Sequence, residues 1–67
     1  MMELLGSWQA VEDIPVRMNH RVFTLPRGAI AAVVQVDEDN QKVLLEMGPM
    51  DVDWFCRTVL NNFEKLD

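Results

Sequence analysis

The sequence predicts an α+β domain, mostly β, in which a small and strongly twisted antiparallel sheet is followed by one C-terminal helix. Residues 28–48 have the pattern of a long β-hairpin, and residues 51–66 have the pattern of an amphipathic helix. Strands first and a helix last is a segregated order, unlike the alternation that builds parallel sheets. With 67 residues, the chain is long enough for a single domain spanning 1–67 and leaves no room for a second core.

The N-terminal third of the chain contains shorter pieces that favour β-structure. Residues 8–11 alternate weakly between apolar and polar side chains and predict a short strand. An Asn-His pair interrupts residues 16–25, whose β-branched and aromatic side chains predict strand on either side of it. The Pro-Arg-Gly sequence at 26–28 then predicts a turn, because Pro fixes its own backbone and Gly tolerates a positive φ.

The central hairpin has one strand that is apolar on both faces. One face contains Ile30, Ala32, Val34 and Val36, and the other contains Ala29, Ala31, Val33 and Gln35. A strand of this kind is expected at the centre of a sheet or covered on both sides. In the partner strand, residues 42–47 alternate cleanly, which predicts Val43, Leu45 and Met47 in the core and the intervening side chains in water. The acidic segment between the two strands is predicted to be a solvated turn.

The predicted helix begins at Asp51, a residue suited to accept hydrogen bonds from the first backbone N–H groups. Its apolar positions follow the i, i+3, i+4 rule: Val52, Phe55, Cys56, Val59, Leu60, Phe63 and Leu66. Trp54 would then point away from the core, which makes it a candidate partner-binding residue. The alternatives are that the helix begins after Trp54 or that the ring is buried against the sheet. Trp8 is open in the same way, as a core residue or as one wall of a groove.

The composition indicates a soluble, acidic and self-associating protein. Apolar residues make up 49% of the chain, more than so small an interior can bury, so we expect a homodimer or a protein partner. The net charge of −5 disfavours general nucleic-acid binding. No apolar run is long enough to span a membrane, and no signal sequence is apparent. With one cysteine and no signal, a cytoplasmic protein without membrane contact is expected.

Catalytic and metal chemistry lack the residues that they require. The chain has one histidine, one cysteine and one serine, whereas a nucleophile needs a base within hydrogen-bond reach and a zinc site needs about four ligands. Asp37, Asp39 and Gln41 have the spacing of a calcium loop, but Lys42 stands where that loop requires Gly. No enzyme activity, cofactor or metal is therefore predicted.

Basic residues are concentrated in segment 17–27, which contains no acid. Arg17, His20, Arg21 and Arg27 are its candidate partner-binding residues. They could form an anion-facing strip, with Phe23 as a stacking surface. Alternatively, they pair with carboxylates within the fold or across a dimer, which the overall acidity favours.

Residues 25–36, with the sequence LPRGAIAAVVQV, resemble small SH3-like barrels, including the KOW-like kind. The resemblance covers roughly residues 6–47, and it rests on a Gly turn, a small residue three positions later, a Val-Val-x-Val run and a short acidic loop. Such barrels often have a second Gly where this chain has Ala31. The resemblance implies a five-stranded, strongly bent barrel that contacts protein or nucleic acid, and it implies no catalytic residues.

These observations leave three functional hypotheses. The first is a non-catalytic interaction module that binds a protein partner or itself through Trp54 and adjoining apolar surface. The second is a small nucleic-acid-binding or transcription-associated barrel that uses the basic segment 17–27. The third is a small acidic inhibitor that masks a cationic surface, with Asp37, Asp39, Asp51 and Asp53 as its contacts.

Overall fold

The structure, a computed structural model, describes residues 3–66 as a mostly-β fold of antiparallel strands with one short 3-10 helix. The elements in chain order are β1 (Gly6–Ala10), β2 (Ile14–Met18), β3 (Arg21–Leu25), β4 (Ile30–Asp37), β5 (Lys42–Gly48), β6 (Asp51–Cys56), the 3-10 helix Arg57–Asn62 and β7 (Phe63–Lys65). The predicted mostly-β domain with antiparallel strands is confirmed.

The strands form two sheets that share one core. The large sheet has the strand order β6-β5-β4-β1-β7, and the small sheet is the hairpin β2–β3. Buried side chains from both sheets form a single cluster: Trp8, Ala10, Ile14, Val16, Met18, Leu25, Ala31, Val33, Val43, Leu45, Leu60 and Phe63. We call the face of the large sheet that contributes to this cluster the inner face, and the opposite face the outer face.

The large sheet is open at both edges in the described part of the chain. β6 and β7 are its edge strands, and they pair with β5 and β1 but not with each other. The strands β1 to β5, which span the region of the SH3-like resemblance, are divided between the two sheets and do not close into a barrel. The hairpin β2–β3 instead covers the inner face as a separate layer.

Two short turns explain how the N-terminal pieces pair. Asn19 and His20 have φ values of 51° and 64°, and positive φ at both central residues is the geometry of a two-residue type I′ hairpin turn. The Asn-His pair that interrupts the sequence pattern is therefore the turn that joins β2 to β3. Gly28, at φ 91°, occupies the turn into β4 in a conformation that side chains rarely adopt.

β5 confirms the predicted half-buried strand. Val43 and Leu45 are fully buried, and Met47 packs against the core cluster. β4 is central in the sheet, between β5 and β1, as predicted. The prediction that it would be covered on both sides is wrong, because Ile30 and Val34 are about half exposed.

The predicted helix over residues 51–66 is wrong. This segment instead contains β6, the 3-10 helix and β7. β6 pairs along its length with β5, from Lys42 opposite Cys56 to Gly48 opposite Asp51, so the sheet pairs the backbone groups on one side of this segment. The segment is also rich in Val, Trp, Phe, Cys and Thr, which favour strands over helices, and its helical spacing of apolar residues is coincidental. Asp51 accordingly caps no helix.

Candidate functional site

The outer face of the large sheet contains a cluster of apolar side chains where water-facing residues are expected. The strand register places Leu44 beside Trp54, and Glu46 between Ala32 and Val52. Because directly paired residues point to the same face, these side chains are neighbours across β4, β5 and β6. We call the cluster the outer patch, and its members are Ile30, Ala32, Val34, Leu44, Val52 and Trp54.

A β-bulge in β4 shapes the end of the outer patch. The pairing with β5 shifts register between Val33 and Gln35, so two residues of β4 oppose one residue of β5. Val34 lies on the outer face by the same alternation that places Ile30 and Ala32 there. The bulge adds Gln35 to this exposed side and returns Val36 to the core side.

The exposure of the outer patch is substantial for such large apolar residues. Ile30 is 50% exposed, Val34 is 47% exposed, and Val52 and Trp54 are each 38% exposed. Polar side chains border the cluster on the same face at Gln9, Gln35 and Glu64, and Glu46 lies within it between Ala32 and Val52. An apolar centre within a polar rim is the usual organisation of a protein-binding surface.

A groove of about 700 Å³ extends the outer patch at the end of β4. Val34 lines it together with Leu5 and Val36, and charged side chains at its mouth are Glu3, Glu38 and Arg57. Leu5 is itself about half exposed. The apolar surface therefore continues from the sheet into a concave region beside residues 3–5.

A second groove, of about 800 Å³, adjoins the first, and Leu4 and Arg57 line both. It is lined by Trp8, Leu60 and Phe63 and is bordered by polar residues of the 3-10 helix and β7. The Trp8 side chain is only 5% exposed, and its Nε1 donates a 2.8 Å hydrogen bond to the Leu4 carbonyl oxygen. Trp8 is thus a core residue that also lines this groove.

Trp54 is exposed, as its candidacy for partner binding requires, but it lies on a strand and not on the polar side of a helix. Its backbone N–H donates a 2.8 Å hydrogen bond to the Asp53 carboxylate. Its indole ring sits on the outer face beside Leu44. Trp54 therefore remains a candidate, while the surface around it depends on strand pairing that the sequence did not predict.

The basic residues of segment 17–27 do not converge on one surface. Arg21 forms an ion pair with Asp51 at the start of β6, and its guanidinium carbon lies 5.3 Å from the centre of the Phe23 ring. Arg17 pairs with Val22 on the opposite, exposed face of the small sheet. Arg27 lies in the turn at the far end of the hairpin, where its backbone N–H donates to Asp13.

His20 occupies the exposed turn at the tip of the β2–β3 hairpin. The acidic candidates are also divided between two ends of the large sheet. Asp37 pairs with Lys42 at the β4–β5 turn, whereas Asp51 pairs with Gly48 at the other end of β5. Hydrogen bonds from the side chain and the backbone N–H of Asn40 lower the pKa of Asp37, so this carboxylate stays charged and organises its own turn.

Cys56 is exposed at the end of β6, not buried in the core as the helix would require. The Thr58 hydroxyl donates a hydrogen bond to its sulfur over 3.2 Å and lowers the pKa of the thiol, with a smaller contribution from the Thr58 backbone N–H. Among residues 3–66, His, Cys, Asp and Glu form no group of three or more that could hold a metal ion.

Comparison of the chain with protein-family models, with curated proteins and with solved structures gives no match. No helix in the described part of the chain is long and apolar enough to cross a membrane. The outer patch is therefore assigned as the candidate site on the geometry of this chain alone.

Proposed function

We propose that this chain is a non-catalytic protein-interaction module whose binding surface is the outer patch. The observation that supports the proposal is the contiguous apolar cluster on a sheet face that has no covering layer in the described residues. An antiparallel sheet with one face in water normally alternates apolar and polar side chains, so that its outer face is polar. Here three adjacent strands depart from that pattern at neighbouring positions.

The chemistry of the outer patch favours a protein partner over a small molecule. Trp54 supplies a large, rigid contact area, and Trp is enriched among residues that dominate binding energy. Leu44 lies beside Trp54 on the neighbouring strand, and Val34 lies on the same face at the bulge of β4. Both side chains offer only apolar contact. A flat apolar centre with a rim of amide and carboxylate side chains matches the anatomy of protein interfaces.

The two alternative hypotheses receive less support from the arrangement of charges. A nucleic-acid surface needs several cations on one side of the molecule. Arg21 is paired with Asp51, and Arg17 and Arg27 lie on different sides or ends of the small sheet. An acidic masking surface would likewise need Asp37 and Asp51 together, yet they lie at opposite ends of β5.

The test is affinity capture from the native host with matched valine variants. Val34→Asp places a charge in the outer patch, whereas Val22→Asp places the same charge on the exposed face of the small sheet, where Val22 is 71% exposed. Wild type and Val22→Asp should capture the same protein, and Val34→Asp should lose it while keeping the wild-type far-UV spectrum. Equal capture by the two variants would show that the outer patch does not bind the captured protein.

A further inference from the structure

β6 is an edge strand, and its free side pairs with no other strand among residues 3–66. The Arg57 N–H donates to the Gln41 carbonyl oxygen over 2.8 Å, which marks these two residues as a hydrogen-bonded pair. Hydrogen-bonded and non-bonded pairs alternate along an antiparallel ladder. The N–H and C=O groups of Val52, Trp54 and Cys56 therefore lie on the side away from β5, where the Asp53 carboxylate accepts from the Trp54 N–H and the Cys56 carbonyl also begins the 3-10 helix.

We propose that a second copy of the chain binds the free edge of β6. Its own β6 pairs antiparallel with this strand, about a two-fold axis at Trp54. This inference rests on the proposed function and specifies how two modules combine. In this register Trp54 exchanges backbone hydrogen bonds with the partner's Trp54, and Val52 with the partner's Cys56. Each protomer's large sheet then continues into the other's.

The register follows from comparing the alternatives that keep the edge groups paired. Centring the axis on Asp53 would oppose it to the partner's Asp53, and two carboxylates directly opposite each other repel. Centring it on Phe55 would leave Val52 without an edge partner. The axis at Trp54 avoids both faults and uses every outward-pointing residue of the strand.

Charge complementarity supports the same register. An axis at Trp54 places Asp51, which also pairs with Arg21 of its own chain, opposite the partner's Arg57, and symmetry repeats this contact at the other end of the pairing. Within residues 3–66, no carboxylate contacts the Arg57 guanidinium, which is exposed. Opposite charges directly across an antiparallel pair stabilise it. Asp53 would face the partner's Phe55, so no like charges oppose each other.

The pairing also joins the two outer patches. Side chains that share a face before pairing still share it afterwards, because continued strands keep the alternation of the sheet. Leu44 and Trp54 of one protomer would adjoin the partner's Trp54 and the partner's Leu44 on one continuous face. The hydrogen bond from the Trp54 N–H to Asp53 is exchanged for one to the partner's backbone. The dimer therefore presents a doubled surface to further partners.

The decisive variant is Val52→Pro, because the Val52 N–H points to the free edge. Proline is tolerated in an edge strand where its missing N–H would face solvent, so the monomer should fold normally. It cannot donate to a partner strand, and its ring obstructs the approach. Val52→Thr is the matched control, since Thr retains the N–H and favours strands.

The proposed interface lies at the small end of the usual size range, so dimerisation is measured by sedimentation equilibrium at a high protein concentration of about 200 µM. Wild type and Val52→Thr should approach twice the 7.7 kDa of one chain, and Val52→Pro should remain at that mass with a wild-type far-UV spectrum. A monomeric wild type, or a Val52→Pro variant that still dimerises, overturns the proposal. Capture of another protein through Val34 does not depend on this result, so the two proposals can fail separately.

A thiol cross-link tests the register and replaces the proline variant if that variant fails to fold. Paired residues on adjacent strands have Cα atoms about 5.5 Å apart, within the range of a disulfide. Val52→Cys with native Cys56 should therefore form a disulfide dimer when oxidised glutathione is added. Within one chain these residues lie about 13 Å apart along the strand, so they cannot bridge each other. Adding Cys56→Ser to Val52→Cys should abolish the disulfide dimer. A cross-link that survives Cys56→Ser, or the absence of any cross-link in Val52→Cys alone, contradicts the register.

Discussion

The assignment of the two faces of β4 makes a quantitative prediction about two adjacent valines. Val33 faces the core and is 2% exposed, whereas Val34 lies on the outer face and is 47% exposed. Val33→Ala removes two buried methyl groups, worth about 0.8 kcal/mol each in transfer free energy, and leaves a cavity as well. We expect the free energy of unfolding to fall by about 2–3 kcal/mol. Val34→Ala should cost less than about 1 kcal/mol, because half of its surface is already in water.

These losses are readily measured in a domain of this size. At 0.05–0.15 kcal/mol per residue, 67 residues have a total stability of about 3–10 kcal/mol. Val33→Ala should then lower the Tm by roughly 10–20 °C. Urea unfolding followed by tryptophan fluorescence reports the change, because Trp8 is buried in the core. Equal losses for the two variants, or a larger loss for Val34→Ala, would refute the assignment of the inner and outer faces of β4.

Three further predictions concern the surface. The Arg21–Asp51 pair is exposed, so a double-mutant cycle with alanine should give a coupling below about 1 kcal/mol that shrinks in high salt; a larger, salt-independent value would contradict this. Thr58→Val should raise the pKa of Cys56, so that the pH profile of iodoacetamide alkylation moves to higher pH, whereas an unmoved profile would show that Thr58 does not tune the thiol. His20→Gly should raise stability in thermal melts by about 0.5–1 kcal/mol, because Gly adopts the observed positive φ without strain, and a loss would argue against the type I′ turn.

Local patterns in the sequence were enough to predict the hairpin of β4 and β5 and the inward positions of β5. Strict alternation in β5 specifies one buried face, and Val43 and Leu45 are buried as it predicts. The strand pieces around the Asn-His pair were also predicted, with a first strand one to two residues away from the observed Gly6–Ala10. These elements share short loops and a pattern of period two.

The C-terminal segment was mispredicted because two periods fit the same residues. Apolar side chains at Val52, Phe55 and Val59 match a helix, while Trp54 and Asp53 fit neither face of it well. The strand is favoured because residues 51–56 pair antiparallel with β5 along their whole length, across a two-residue turn at Pro49 and Met50. The low helix propensity of this segment was the sequence feature that indicated against a helix.

The candidate site was predicted in one residue and missed in the rest. Trp54 stood out as a candidate whose exposure the sequence left open, and its neighbours in the outer patch include residues of β4 and β5. Ile30 and Val34 were expected on a covered face, whereas no layer among residues 3–66 covers it. The bulge that brings Gln35 to this face has no marker in the sequence, since no Gly stands there. The basic segment looked continuous in sequence, yet alternation along β2 and β3 separates Arg17 from Arg21.

The central claim is that the outer patch binds a protein and is not needed for folding. Its most direct test is the affinity of the captured partner for Val34→Asp and for Val22→Asp, measured by titration calorimetry beside wild type. A charge buried at the centre of an interface should cost at least 2 kcal/mol, so Val34→Asp should bind about 30-fold more weakly while Val22→Asp binds like wild type. Wild-type affinity for Val34→Asp, with both variants folded, would contradict the claim.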